Sequence, residues 1–273
     1  MFSFLFIFSL ANFSVSAGTP GWVTTCNYSH SATEDPIVHP GIMNLSHLHD
    51  FIGNTTTGAN STVNSLHAGG TKCVMEADKS AYWVPALYRN NNLVLPKGTN
   101  KNALIYYKNP MGKNMSTIPD GLKMIVGNAH ATSQSQNTAL EDGKIFFKCG
   151  PGSGTRMSAP PSQCSSGIMT LTYIFPNCWD GVNLDSADHI SHMSYPKGGN
   201  CPATHPVAIP LIRAYIRYDV GSAPIGNVTL ASGPYYTAHM DFFNAWDVEA
   251  LSKLVATCIN GDKDCGKNPS IPQ

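Results

Sequence analysis

The sequence predicts a mainly β chain: a β-sandwich or jelly-roll-like core with long disulfide-pinned loops and one C-terminal helix. Three observations carry this. Short runs rich in Tyr, Ile, Val and Phe recur between turn residues, and 24 glycines and 19 prolines punctuate the 273 residues throughout. Apolar residues at helical spacing form a convincing stripe in one late segment only. Eight cysteines, an even number, spread over the whole chain. In an oxidising compartment they read as four disulfides in a single domain.

Taken in order, residues 1–17 (MFSFLFIFSLANFSVSA) are apolar and end in Val15-Ser16-Ala17, which fits signal-peptidase cleavage after Ala17, although the usual positive n-region is missing. The run is shorter than the ~20 residues a spanning helix needs. The expectation is a secretory signal peptide followed by one domain over 18–273. Strands are expected over Ala81–Tyr88, Ala103–Tyr107, Leu122–Val126, Lys144–Lys148, Ile168–Phe175, Leu211–Val220 and Tyr235–Phe243. In the sixth, Ile212, Ala214 and Ile216 share one face, and Arg213, Tyr215 and Arg217 share the other. The two arginines could hold an anionic ligand, but charged strand faces are usually solvated, and that is the expectation. The helix places Val248, Leu251, Leu254, Val255 and Cys258 on one stripe, with Asp247 as its N-cap. Residues 55–65, 129–142 and 153–166 read as surface loops. Short loops suggest Cys149–Cys164, Cys178–Cys201 and Cys258–Cys265, leaving Cys26–Cys73, out of ~105 possible pairings.

Charged residues make up 12% and the formal net charge is zero, against about 25% charged in an average soluble protein. There is no basic field for nucleic acid and no polybasic membrane patch. Solubility must come from Ser, Thr, Asn and glycans. Asn27, Asn44, Asn54, Asn60, Asn114 and Asn227 all head acceptor sequons. A Gly-x-Ser-x-Gly elbow is absent, and no CxxC pair argues for structural zinc.

Chemistry concentrates in three segments: His47-Leu48-His49-Asp50-Phe51, the run Cys178–Tyr195, and His239-Met240-Asp241-Phe242. Imidazole and carboxylate bind metal or move protons near neutral pH. As strand residues, His47 and His49 would share a face, as would His239 and Asp241. Were Asp185–His192 a helical turn, Asp185 and His189 would be neighbours at i,i+4, as would Asp188 and His192. Asp185, Asp188, His189 and His192 are therefore candidate ligands for a divalent metal, the one cofactor this pattern allows. The plain alternative is that these side chains hydrogen-bond loops. Trp83, Trp179 and Tyr195 are candidate sugar-stacking residues, and Trp and Tyr as often pack a core.

The motifs Asp35-Pro36-Ile37-Val38, His47-Leu48-His49-Asp50-Phe51-Ile52-Gly53, Ala81-Tyr82-Trp83-Val84-Pro85, Phe175-Pro176-Asn177-Cys178-Trp179-Asp180-Gly181, Asp188-His189-Ile190-Ser191-His192 and His239-Met240-Asp241-Phe242-Phe243-Asn244-Ala245-Trp246-Asp247 follow one another along nearly all of 18–273. In this series the chain resembles the DUF1996 family of secreted proteins. The resemblance implies a secreted domain at cell walls or extracellular polymers and supplies no catalytic residue.

The expected function is a secreted enzyme acting on extracellular or cell-wall polysaccharide. His47, His49, His189, His192 and His239 with Asp180, Asp188 and Asp241 would line one site. A metal-assisted hydrolase fits, as does a lyase with Tyr195 or Tyr236 as proton donor. The rival is a non-catalytic glycan-binding or cell-wall structural protein.

Overall fold

The computed structural model describes residues 18–96, 103–151 and 154–273. The expected signal segment 1–17 lies outside them, as does the first residue of the expected 153–166 loop. Two sheets dominate. The strands that build them are β1 (Gly21–Cys26), β2 (Tyr28–Ala32), β3 (His49–Gly53), β4 (Ala81–Pro85), β5 (Ala103–Lys108), β6 (Lys123–Gly127), β7 (Ile145–Cys149), β8 (Ile168–Ile174), β9 (Leu211–Asp219), β10 (His239–Phe243) and β11 (Asp264–Lys267). One sheet has the order β11-β1-β5-β9-β8-β7 and the other β2-β3-β4-β10-β6. All neighbours are antiparallel except β1 and β11.

Alternation along the strands builds a shared core. Ile105, Tyr107, Ile212, Ala214 and Ile216 from the first sheet join one buried cluster with Ile52, Tyr82, Val84, Met240 and Phe242 from the second. The architecture is a β-sandwich. Each strand expected from the sequence is present, with Tyr235–Thr237 a 3-10 turn rather than strand. Strands β1, β2, β3 and β11 were not among those expected. The sequence of β2 is the polar Tyr28-Ser29-His30-Ser31-Ala32 and that of β11 only Asp264-Cys265-Gly266-Lys267, whereas β1 is buried throughout.

Helix α1 (Val63–Ala68) starts in the expected 55–65 loop and runs past its end, and the one-turn α2 (Thr138–Glu141) sits within the expected 129–142 loop. Helix α3 (Val248–Leu254) runs on into a π-helical turn, Val255–Asn260. Asp247 caps α3 as expected, its carboxylate accepting from the Ala250 N–H at 2.9 Å. Leu251, Leu254, Val255 and Cys258 are buried, but Val248, in the first turn, is exposed.

The four disulfides are Cys26–Cys73, Cys149–Cys164, Cys178–Cys201 and Cys258–Cys265. Cys178 lies on a short strand (Cys178–Trp179) between Met193–Ser194 and Val207–Ala208, so the bond anchors the loop that leads from Trp179 to Met193. Among the described residues, no helix is long and apolar enough to cross a membrane. Of the six sequon asparagines, Asn54 is the exception to surface placement. It is buried, donating to Leu66 O and Lys79 O while accepting from Thr56, so its amide cannot carry a glycan in the folded chain.

Candidate metal centre

The site grows from the outer face of the five-stranded sheet. His49 opens β3 and His239 opens β10, with β4 between them. Two strand spacings put those backbones about 9–10 Å apart, a gap that two imidazoles leaning toward each other can close. Alternation sends His49 outward and its neighbour Asp50 into the core, where it accepts from the Ser31 hydroxyl. His47, two residues earlier, lies on the same side as His49. Gly127, on β6, faces His239 in register. Its φ of +100° suits glycine, and a Cβ there would meet Ala238 O at 2.2 Å.

The three rings meet through their Nε2 atoms. His47 and His49 stand 3.2 Å and 3.4 Å from His239 Nε2. His49 Nδ1 lies 3.0 Å from Glu34 O and His239 Nδ1 lies 2.9 Å from Thr237 O. A carbonyl only accepts, so both Nδ1 atoms carry hydrogen. Burial, the main cause in each case, pushes His47 down to about 4 and His49 and His239 down to about 3, so all three are neutral at pH 7. Neutral rings protonated at Nδ1 present lone pairs at Nε2. His47 could donate to His239, but the His49 lone pair then still faces a nitrogen with nothing to offer. Three nitrogens about 2.0–2.1 Å from a tetrahedral ion sit about 3.3 Å from one another. The observed separations fit that centre.

Two carboxylates complete the set. Asp241 Oδ2 is buried, has no hydrogen-bond partner among the described residues, and lies 4.0 Å from His239 Nε2. Burial, aided by the charge of Asp35, pushes its carboxyl well above the usual carboxylate range. Asp35 is fixed by N–H donors from Ile37 and Val38 at 2.8 and 2.9 Å. One donor atom each from Asp35, His49 and Asp241 lie within 4.8 Å of one another, as do those of His47, His49 and His239. A cation here would satisfy the orphaned oxygen and the facing lone pairs together.

Residues 35–246 match the family described as a domain of unknown function, DUF1996. The chain belongs to this family. The DUF1996 match begins at Asp35 and ends beyond Asp241, so it brackets the whole donor set. No curated protein and no solved structure matches the chain.

In this DUF1996 chain the three histidine segments do meet. A cavity of about 330 Å³ is lined by His47, His239 and Asp241 together with Asp188, His189 and Ile190. His189 donates through Nδ1 to Asp185 Oδ1 at 2.8 Å, and the second oxygen of that carboxylate accepts from Lys123 Nζ at 3.3 Å. Its Nε2 has no partner among the described residues. That is an oriented imidazole with one nitrogen free for proton transfer.

The expected ligand set Asp185, Asp188, His189 and His192 does not converge. The segment is a run of turns, not a helix, and His189 takes a left-handed φ of +58°. Asp188 Oδ1 accepts from the N–H groups of Ser191 and Ile190 and from the Ser186 hydroxyl, which hold its carboxyl well below the usual range. His192 is buried with Nδ1 on Ser186 Oγ and Nε2 on Lys123 O, leaving no nitrogen for a metal or a proton. Asp180 closes a turn, accepting from Val182, Asn183 and the Asn183 amide, and does not line the cavity.

The stacking residues also part company. Trp83 is wholly buried against Phe51, with ring centroids 5.7 Å apart, and cannot meet a sugar. Trp179 is half-buried and donates to Asn183 O. Tyr195 is half-buried outside the histidine cavity, its hydroxyl donating to Ile174 O.

Sequence reasoning missed Asp35, His39 and His130, which join the cavity wall from two loops. Six of the ten histidines thus line the cavity or, as His49, stand behind it. The one signal for Asp35 and His39 was their place in the Asp-Pro-Ile-Val-His run.

Proposed function

We propose that this DUF1996 chain is a secreted metal-assisted hydrolase acting on extracellular polysaccharide. One observation carries the reading: the Nε2 atoms of three neutral imidazoles converge beside an orphaned carboxylate oxygen. His47, His49 and His239 would hold a divalent ion of the kind imidazole favours, with Asp241 as a further ligand. Bound there, such an ion would lower the pKa of a water and polarise the bond to be cleaved. His189, with Asp185 holding its ring in place, would take a proton from the attacking water at Nε2 and return it to the leaving group.

The lyase version has less support. Neither Tyr195 nor Tyr236 lines the histidine cavity. Four disulfides favour an oxidising compartment and hence export.

The test is elemental analysis of protein made without a His-tag, followed by a polysaccharide panel. One equivalent of a transition metal is expected, with products that have gained water and contain no new C=C bond. Metal-free protein that releases nothing from the panel would favour the non-catalytic glycan-binding reading. Unsaturated products would favour the lyase.

A further inference from the structure

The histidine cavity does not end at the histidines. It shares Ile125, Gly127 and Ile190 with an adjoining cavity of about 270 Å³. That one shares Asp142, Lys144 and Tyr195 with a third, of about 290 Å³. Sharing these lining residues, the three adjoin in series as a groove from the histidines past Tyr195. At its far end Lys144, Arg156 and Arg213 line the wall over an apolar floor of Ile174 and Leu211.

Arg213 is the informative residue. It lies on the outer face of β9, opposite Tyr106 and Ile174. A solvated position was expected, yet it is only 6% exposed. Its Nε is buried with no acceptor, and no carboxylate pairs with it among the described residues. An arginine set this deep, with no anion beside it, is stabilised by one in the cavity it lines. Its neighbours add charge without supplying one. Lys144 lies over the Tyr195 ring at 4.8 Å, and Arg156 stacks on Phe146 at 4.7 Å. Asp142 is the one acid in the lining.

We propose that this end of the groove is a subsite for a sugar carboxylate, so that the substrate is a uronic-acid-containing polysaccharide. A guanidinium presents a planar fork that matches a carboxylate. An apolar floor beside an aromatic wall suits a pyranose face. The inference rests on reading the histidine cavity as the reacting end of the same groove.

The experiment measures binding of the full metal-loaded chain to an oligogalacturonide and to the same oligosaccharide with its carboxyls reduced to alcohols. The acidic form is expected to bind at least about tenfold more tightly, a difference worth about 1.4 kcal/mol. Raising salt should narrow the difference. Arg213→Gln and, because Arg213 is buried, the exposed-site variant Arg156→Gln should each weaken the acidic ligand and leave the neutral one unchanged. Equal affinity for both ligands, or unchanged acidic binding in both variants, would overturn the proposal. Metal content is read on the same samples. Both arginine variants should keep their metal, whereas His239→Ala should lose it and still prefer the acidic ligand. Acid-selective binding by parent protein that takes up no metal would sink the hydrolase reading and leave this subsite standing.

Discussion

His49 and His239 face each other through Nε2 atoms 3.4 Å apart, each with its other ring nitrogen committed to a backbone carbonyl. The carbonyls of Glu34 and Thr237 therefore decide the tautomer, and the tautomer decides what the pair can bind. His49→Ala and the less buried His47→Ala should each reduce bound metal from one equivalent to near zero in elemental analysis. Chelation should lower the thermal midpoint of the parent protein by several degrees. A ligand present at a thousand times its Kd stabilises by about 4 kcal/mol, and 1 kcal/mol moves the midpoint of a domain this size by about 2–4 °C.

In the metal-free protein the three imidazoles should stay neutral far into acid. Their folded pKa values, about 3 to about 4, lie below the ordinary 6.5. The unfolded chain then takes up protons first as pH falls. The contribution of these groups to stability is full above pH 6.5 and is lost toward their folded values. Burial raises Asp78 to about 7, and that group acts with the opposite sign, so the imidazoles themselves are the proper readout. Their C2 proton resonances should show no titration between pH 8 and about pH 5. A midpoint near the ordinary histidine value would remove the basis for the tautomer argument.

His189→Ala should retain the metal and lose about 10²–10⁴ in kcat, the usual worth of a positioned acid or base. Asp185→Asn leaves His189 in place but without a charged partner, so a smaller loss is expected, with KM little changed. Loss of metal in either variant would move His189 into the ligand set.

Trp83→Ala should cost about 3–5 kcal/mol in denaturant unfolding, as for other fully buried aromatic residues. If the variant folds, its affinity for oligosaccharide should match that of the parent. A selective loss of binding with unchanged stability would contradict the buried placement.

Replacing Cys178 and Cys201 by alanine removes a bond that closes 23 residues of sequence separation. A loop of that size is worth about 3 kcal/mol in the unfolded chain. The loop also carries Asp185 and His189, so activity should fall further than stability alone predicts, with metal content preserved. Matched losses of the two would mean the loop holds its shape without the bond.

Much of the fold was legible locally. Strand alternation in Leu211–Asp219 sorted the two faces correctly, because that pattern depends only on neighbouring backbone geometry, but Arg213 and Arg217 on the second face are buried rather than solvated. The same rule paired His47 with His49 and turned Asp50 away. Local reasoning failed where it had to guess conformation. Spacing suggested a helix over Asp185–His192, but Asp188 captures the N–H groups of Ser191 and Ile190 in a turn, and His189 goes left-handed. Trp83 looked like a surface aromatic until strands on both sides of β4 and the loops above it closed over the ring.

By itself, then, the sequence determined a disulfide-pinned β chain whose histidines lie on particular strand faces. Only the tertiary structure decided which of them meet. His49 and His239 are separated by 190 residues and joined by β4 lying between their strands. Strand pairing at that range follows from packing the whole core, which no local pattern encodes. The same packing placed Asp241 Oδ2 without a partner, buried Arg213 beneath its groove, and set His189 in the wall of the cavity that His47 and His239 line.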